Sequence, residues 1–458
     1  MSQVSARTGP AGAQPPALRR VLTLKDLIFY GLVLMQPIAP VGILGFAQQM
    51  SHGHAVTTIL FGMVAMMLTA FSYGRMAAVY PSAGSAYTYV GREFNLHLGF
   101  LVGWAMTLDY LMIPLINTVF GSLTLYRLMP QIPYVVWVTV FVGVITFLNL
   151  RGIRAVANTN TVFLGIMTGV VLTFVALAVH YVARTHGWLG VFSFGAFYDS
   201  RTFDLRSVTK ATSLAVLTYV GFDGVTTLAE EVHDAKRTVP LATVLICLLT
   251  GIYSGVEIYL SQLAWPNYLS FSKLETAFLD VTRRVGGPML FEAMGGVFIV
   301  ACLGSGLAGQ VGAARLLYGM GRDNVLARGV FAHLDEKRGN PTYNIWIIGA
   351  LTFVGALFIS YERTAELLNF GAFIGYMGVN LATIRRFHPR RGNGLLPGLL
   401  AGILAPGLGF VFCFAIWWGL AAPAKIVGGV WFLLGITYHA VKGSGFRTSP
   451  PSLDFTRT

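Results

Sequence analysis

The feature that most constrains this chain is a series of apolar runs, each about 20 residues long, separated by short polar segments. A run of that length with few charges is typical of a helix that crosses a bilayer. We count twelve: 27–50, 56–79, 97–126, 133–151, 157–183, 207–233, 239–263, 287–320, 344–361, 364–386, 395–420 and 425–442. The chain is therefore predicted to be an all-α polytopic membrane protein with twelve transmembrane helices.

The composition favours the same class. Only 11% of the 458 residues are charged, whereas soluble proteins carry about 25%. The net charge of +13 could suggest nucleic acid, but the basic residues lie between the spans rather than on one domain. We therefore expect the lipid bilayer, and no nucleic acid, as a partner. The three cysteines lie in apolar runs without ligand spacing, so no disulfide, metal site or cofactor is predicted.

The charge distribution predicts an orientation. An even number of spans puts both termini on one side. With the N-terminus inside, the 32 Lys and Arg residues divide better than two to one in favour of the cytoplasmic segments. Residues 1–24 are rich in Pro, Ala and Gly and lack the apolar stretch of a signal peptide. We predict that 1–24 form a disordered cytoplasmic tail and that 443–458 form a second one.

Two of the spans are poor continuous helices. In the first, Pro37, Pro40, Gly42 and Gly45 cluster near the middle, and in the sixth Gly221 and Gly224 flank Phe222 and Asp223. Each alone could be a proline kink or a pair of packing glycines. Interruptions in the first and sixth helices together indicate two inverted repeats of five helices with a central binding site. The repeats would be 25–206 and 207–390, followed by spans 11 and 12 in 391–442.

Two carboxylates lie near the predicted midplane. Asp109 is about twelve residues into span three, and Asp223 lies at the interruption of span six. An ionised Asp at such a depth costs about 2.5–3.5 kcal/mol, and no Lys or Arg is predicted at this level. Each could bind a cationic substrate or couple its transport. Each could instead be structural, capping a freed amide or pairing with a hidden base.

Aromatic side chains adjoin these carboxylates. Tyr110, Tyr219 and Phe222 could hold an amine by cation–π contact. If the substrate is an amino acid, its carboxylate would instead meet the positive end of the interrupted first helix.

Four motifs in order carry a family resemblance. They are PSAGSAYTYVGREF (81–94), GFLVGWAMTLDYLMIPLIN (99–117), YVGFDGVTTLAEEVHDAKRTVP (219–240) and AARLLYGMGRDNVL (313–326). They resemble the amino acid–polyamine–organocation (APC) transporter superfamily. The nearest branch is the putrescine-importer type, chiefly through LDYLMIPLIN and GFDG…AEE.

The resemblance implies a leucine-transporter-type fold with broken helices 1 and 6, in the bacterial inner (plasma) membrane. It also implies a secondary active permease that imports a polyamine such as putrescine, or another cationic amine, by alternating access. The alternative is a permease or exchanger for neutral or cationic amino acids. Many amino acid members have a Gly-Ser-Gly-type run in the first break, where Ala39, Gly42 and Gly45 stand here. This stretch also lacks the carboxylate expected of diamine importers, so the run supports neither substrate specifically.

Further charged residues lie near the predicted membrane surfaces. Glu230 and Glu231 form either a solvated helix end or an inner gate, in which Glu231 pairs with Arg154 or Arg315. Arg315 could equally serve as an anchor at the membrane surface. Glu257 and Glu366 are predicted to be interfacial, near the outer surface.

Other functional classes fit less well. The sequence contains no P-loop, so ATP hydrolysis is not predicted. The histidines are scattered, which argues against an enzyme embedded in the membrane. Filter-like repeats typical of a channel are missing. The tight junction VHDAKRTVP between spans six and seven argues against a major-facilitator transporter. Ser305 could serve sodium, but small residues there also suit helix packing. We favour protons as the coupling ion, with sodium coupling, exchange and uniport left open.

Overall fold

The structure is a computed structural model that describes residues 22–36, 39–81, 85–151, 157–322, 326–335, 340–388 and 399–442. Throughout these ranges the protein is built from helices, with a single isolated backbone bridge between Leu22 and Val232. The predicted tails lie almost entirely outside the described residues. The structure therefore confirms the all-α class.

Among the described residues, the first half of the chain contains seven α-helices. They are α1 (Leu24–Met35), α2 (Leu44–Met50), α3 (Ala55–Val79), α4 (Ser85–Glu93), α5 (Leu96–Leu128), α6 (Tyr134–Arg151) and α7 (Ala157–Gly190). At the start of α1, Thr23 and Asp26 form a reciprocal capping box, which satisfies backbone donors that a helix start leaves free. Asn95 caps α5 in a similar way through its side-chain oxygen.

The described part of the second half contains eight more. They are α8 (Leu205–Ala215), α9 (Ala235–Ala264), α10 (Ala277–Arg322), α11 (Arg328–Phe331), α12 (Thr342–Phe358), α13 (Tyr361–Arg386), α14 (Ala405–Gly419) and α15 (Ala422–Lys442). A single π-helical turn, Leu400–Leu404, precedes α14. Helix α10 is bent at Gly287, which has a φ of 70° and is followed by Pro288. The membrane-spanning part of α10 therefore begins near residue 287, which is the predicted start of the eighth span.

The first interruption lies where Pro and Gly cluster in the sequence. Helix α1 ends before Gln36, whose φ is 55°, and a 3-10 turn, Ala39–Ile43, leads into α2. We call Leu24–Met50 the first interrupted segment. The break is narrower than predicted, because α-helix has resumed by Gly45.

The second interruption lies at the predicted glycine. A 3-10 turn, Val216–Tyr219, follows α8, and Gly221 then adopts a φ of 111°, which side chains rarely allow. The chain continues as 3-10 helix from Phe222 to Glu231 rather than returning to α-helix. We call Leu205–Glu231 the second interrupted segment.

Nine helices of the described chain are long and apolar enough to cross a membrane, and α12 is apolar but has only 17 residues. The helices α5 and α13 are 72% buried across their most apolar stretch, whereas α15 is 22% buried. The helices α5 and α13 therefore form the centre of the bundle. Helix α15 lies at its edge, where lipid would cover it. The protein is a multi-pass membrane protein.

Two glutamates that were predicted to be interfacial are buried among helices. Glu257 of α9 has no exposed surface, and Glu366 of α13 is 4% exposed and accepts a hydrogen bond from the Ala421 backbone at 3.2 Å. Their distance from the helix ends suggested a surface position. Neighbouring helices cover both side chains instead.

Candidate functional site

A cavity of about 590 Å³ lies between the two interrupted segments, α5 and α10. The first interrupted segment contributes Met35, Gln36 and Ala39, and the second contributes the backbone around Gly221. The α-helix is interrupted at both breaks, so the backbone there lies along the cavity wall in 3-10 turns instead of inside a continuous helix. The predicted central site thus coincides with this cavity.

The cavity has a buried end and an exposed end. At the buried end lie Tyr361 and Phe120, whose ring centroids are 5.3 Å apart, and Cys302 of α10. At the other end lie Tyr30 and Arg315, which are both exposed. Cys302 and Arg315 are thirteen residues apart on α10, so the cavity is about 20 Å long.

Two carboxylates lie inside this cavity. Asp109 projects from α5 and is 5% exposed, and its Oδ1 has no hydrogen-bond partner among the described residues. Asp223 follows Gly221, and its Oδ1 accepts a long hydrogen bond of 3.4 Å from the Tyr376 hydroxyl. Two carboxylates in one cavity repel each other when both are ionised. A positively charged solute between them would relieve this repulsion and satisfy the free oxygen.

Only some of the other predicted substrate-binding residues line the cavity. Tyr110 and Ala39 line the cavity together with the two carboxylates. Tyr219 does not line it, because it is buried in the core and donates a hydrogen bond to the Ile59 carbonyl at 2.9 Å. Phe222 is also buried outside the lining, with its ring 5.1 Å from that of Tyr376 and 5.3 Å from that of Tyr73. Phe222 therefore reaches the site only through the Tyr376 that contacts Asp223.

The two glycines of the first break also lie outside the lining, and both permit close packing. A Cβ atom on Gly42 would lie 2.5 Å from the Tyr361 hydroxyl and 3.3 Å from the Phe120 ring. Gly42 thus lets these rings close the buried end of the cavity. Gly45 packs against the backbone of Leu274, which leaves no room for a side chain.

The residues predicted for the gate can be followed only in part. Arg315 lies at the exposed end of the cavity. Arg154 and the side chain of Glu231 lie outside the described residues. The gating pair remains a prediction.

Sequence reasoning missed several polar residues of the lining. Asn117 of α5 donates to the Ser305 hydroxyl at 3.0 Å and to the Ile113 carbonyl at 2.9 Å. Gln36 donates to the Ala301 carbonyl at 3.0 Å and so ties the first break to α10. Amide side chains inside apolar runs were the available signal. Ser305 accepts a bond from Asn117 and so helps hold α5 and α10 together.

Glycines on α10 keep this wall close to α5. A Cβ on Gly309 would lie 2.4 Å from the Ile113 side chain, whereas Gly304 has open space before it. The small residues of α10 therefore permit close packing where Gly309 faces α5 and leave open volume at Gly304.

A family model described as Amino acid permease matches residues 38–390. The chain belongs to the amino acid permease family. This confirms the resemblance to the APC superfamily, whose members are permeases rather than enzymes. The match covers the second interrupted segment, the first from residue 38 onward, and every described residue of the cavity lining except Tyr30, Met35 and Gln36.

Curated relatives of this permease cover nearly its whole length. The low-affinity putrescine importer PlaP of Escherichia coli (strain K12) is 32% identical over 95% of this chain and 96% of its own. The branched-chain amino acid permease BcaP of Lactococcus lactis subsp. cremoris (strain MG1363) is 24% identical over 93% and 95%. The methylthioribose transporter of Bacillus subtilis (strain 168) is 25% identical over 83% and 84%.

Proposed function

We propose that this permease imports a polyamine such as putrescine, or a similar cationic amine, by alternating access. The observation that carries the proposal is the pair of buried carboxylates, Asp109 and Asp223, in one cavity. Arg315 is the one Lys or Arg in the described lining, and it lies at the exposed end. A diamine offers two positive charges to two negative ones. The name of the relative with 32% identity, a putrescine importer, supports the same solute class.

The remaining walls suit the body of an aliphatic amine. Ile113, Ile116, Leu217 and Val220 line the cavity beside the carboxylates, and methylene groups would pack against them. Each buried methylene contributes about 0.8 kcal/mol. The ring of Tyr110 adds a face for an ammonium group. The two carboxylates would fix the ends of the solute, and the apolar walls would select its length.

The proposed architecture has twelve spans in a five-plus-five inverted repeat. The nine long helices, the apolar α12 and the two interrupted segments together supply twelve crossings. The repeats would be 25–206 and 207–390, with spans 11 and 12 in 391–442. Paired interruptions in the first and sixth crossings support this arrangement.

We further propose that both termini are cytoplasmic, in a bacterial inner membrane. The exposed end of the cavity lies beside Tyr30, near the start of α1. With a cytoplasmic N-terminus the structure is an inward-open state, closed on the outer side by Tyr361 and Phe120.

The driving force we propose is a proton gradient together with the membrane potential. The potential contributes about 2.3 kcal/mol per charge per 100 mV. A dication therefore gains about 4.6 kcal/mol, which corresponds to roughly a thousand-fold accumulation.

A neutral amino acid is the second candidate substrate. The relatives include a branched-chain amino acid permease, and the α-helix is interrupted beside the cavity at the turn Ala39–Ile43, where α2 begins. The backbone amides at the start of a helix carry partial positive charge. Such amides could receive a substrate carboxylate. The orphaned Oδ1 of Asp109 would then have to meet the substrate's ammonium group alone.

Thermal unfolding of the purified protein with candidate solutes tests the proposal. A ligand at one hundred times its Kd stabilises the folded state by about 2.7 kcal/mol. Putrescine should raise Tm, a monoamine of equal length should raise it less, and leucine should leave it unchanged. Stabilisation by leucine without stabilisation by any diamine would reverse the assignment.

A further inference from the structure

Glu257 is a carboxylate in the membrane-spanning part of α9, away from the substrate cavity. It lies seven residues before the last residue of α9, about 10 Å along the helix. Its side chain has no exposed surface, and neither Oε1 nor Oε2 has a hydrogen-bond partner among the described residues. An ionised carboxylate without a partner in such surroundings costs several kcal/mol. The group must therefore be neutral whenever the bundle is packed in this way.

The polar groups near Glu257 on its own helix carry no positive charge. Tyr253 and Ser254 precede it by about one turn, and their hydroxyls also lack partners in the part of the chain described here. Ser261 donates at 2.6 Å to the backbone carbonyl of Glu257 and not to its carboxylate. A proton neutralises a carboxylate without any further ligand. A metal ion would need several, and no cluster of three His, Cys, Asp or Glu is found among the described residues.

Charged groups on the neighbouring elements do not compensate for Glu257. The elements packed on α9 carry, among their titratable side chains, Tyr30, Tyr73, Arg75, His180, Tyr181, Arg184, His186, Tyr219, Asp223, Arg283 and Arg284. None of these forms a hydrogen bond with the carboxylate of Glu257. No described base is placed to take its proton while the site is dry.

The face of α9 that carries Glu257 packs on the first interrupted segment. Thr250, two turns before Glu257, contacts the Met35 sulfur at 3.9 Å. Ile246, three turns before, packs on Gly31 of α1. Residues seven and eleven apart share one helix face. Met35 also lines the substrate cavity, so one segment contacts both the solute and the helix face of Glu257.

We propose that Glu257 binds the coupling proton of this permease. This proposal rests on the proposed import of a cationic amine. The carboxyl stays protonated while the first interrupted segment packs against α9. When that segment moves during alternating access and water enters, the O–H bond breaks and the proton passes to water on the open side. The next proton binds from water on the opposite side. Because the same segment lines the cavity, exchange of this proton is tied to the movement that opens and closes the solute site.

The test uses Glu257→Gln in proteoliposomes, with Glu292→Gln as the matched control because Glu292 is an exposed carboxylate of α10. Two assays are compared: counterflow of labelled putrescine at equal pH, and accumulation driven by a pH gradient. We expect Glu257→Gln to keep counterflow within about two-fold of wild type and to lose gradient-driven accumulation. Glu292→Gln should keep both. Gradient-driven accumulation that survives in Glu257→Gln, or wild-type accumulation that follows sodium and not pH, would overturn the proposal.

A second measurement does not depend on the solute. Infrared difference spectroscopy of the purified protein during a pH jump reports the C=O stretch of a protonated carboxyl. We expect a band in the wild type that disappears in Glu257→Gln and persists, shifted, in Glu257→Asp. If the wild type has no band that depends on Glu257, the proposal is wrong even if putrescine is transported. If the band is present and putrescine is not transported, the proton site stands and the proposed substrate fails.

Discussion

Gly371 offers a direct test of how closely the carboxylate of Asp109 must be held. It lies on α13 where this helix crosses α5, and a Cβ atom at this position would lie 2.5 Å from the carbonyl oxygen of Ala105 and 3.2 Å from the backbone nitrogen of Asp109. Both atoms belong to the backbone, so neither can rotate away. In Gly371→Ala the two helices must therefore separate.

The size of the effect follows from this contact. An ordinary carbon–oxygen contact is about 3.3–3.6 Å, so the helices must part by about 0.8–1.1 Å. Overpacking of this kind costs about 1–3 kcal/mol of stability. Asp109 lies one turn from Ala105 and moves with it. A charged hydrogen bond contributes about 1.5–3 kcal/mol. Losing half of it, about 0.75–1.5 kcal/mol, would raise the KM for putrescine about 4- to 13-fold.

The assay is uptake into proteoliposomes over a range of putrescine concentrations, with Tm measured in parallel. Gly375→Ala is the matched control, because its Cβ would lie 2.7 Å from the sulfur of Met106, a flexible side chain that can move aside. We expect a raised KM and lowered Tm for Gly371→Ala and nearly wild-type values for Gly375→Ala. A wild-type KM in a Gly371→Ala protein that has lost stability would refute the link between this contact and the site.

Three further predictions follow from the site and its surroundings. Asp109→Asn and Asp223→Asn should each reduce the initial rate of putrescine uptake at least ten-fold without loss of membrane expression, because each removes one charge from the cavity. Wild-type kinetics in both variants would contradict the substrate assignment. Gly42→Ala should displace the Tyr361 ring and let an outer-side thiol reagent reach a cysteine placed in the cavity, whereas unchanged labelling would show that the rings are not the outer barrier. Trp431→Phe should lower stability by about 1 kcal/mol, because its indole donates to the α5 backbone at 3.0 Å, and should leave the uptake KM unchanged; an altered KM would connect α15 to the site.

The sequence by itself determined the helical segments and their interruptions. Runs of about 20 apolar residues must satisfy their backbone groups internally once they enter lipid, so each becomes a helix. The two interruptions followed from local chemistry as well, because Pro40 removes a backbone donor and Gly221 permits a φ of 111°. The depth of Asp109 and Asp223 then followed from counting residues along these helices.

Only the tertiary structure decided which face of each helix meets the cavity. The apolar runs are hydrophobic all round, and lipid tails are as apolar as a packed leucine, so sequence gives little contrast between lipid, core and cavity. Tyr110 and Tyr219 looked equivalent in the sequence. Tyr110 lines the cavity, whereas Tyr219 is buried in the core and donates a hydrogen bond there. Glu257 looked interfacial and is buried, because the packing of neighbouring helices, and not its place along α9, sets its exposure.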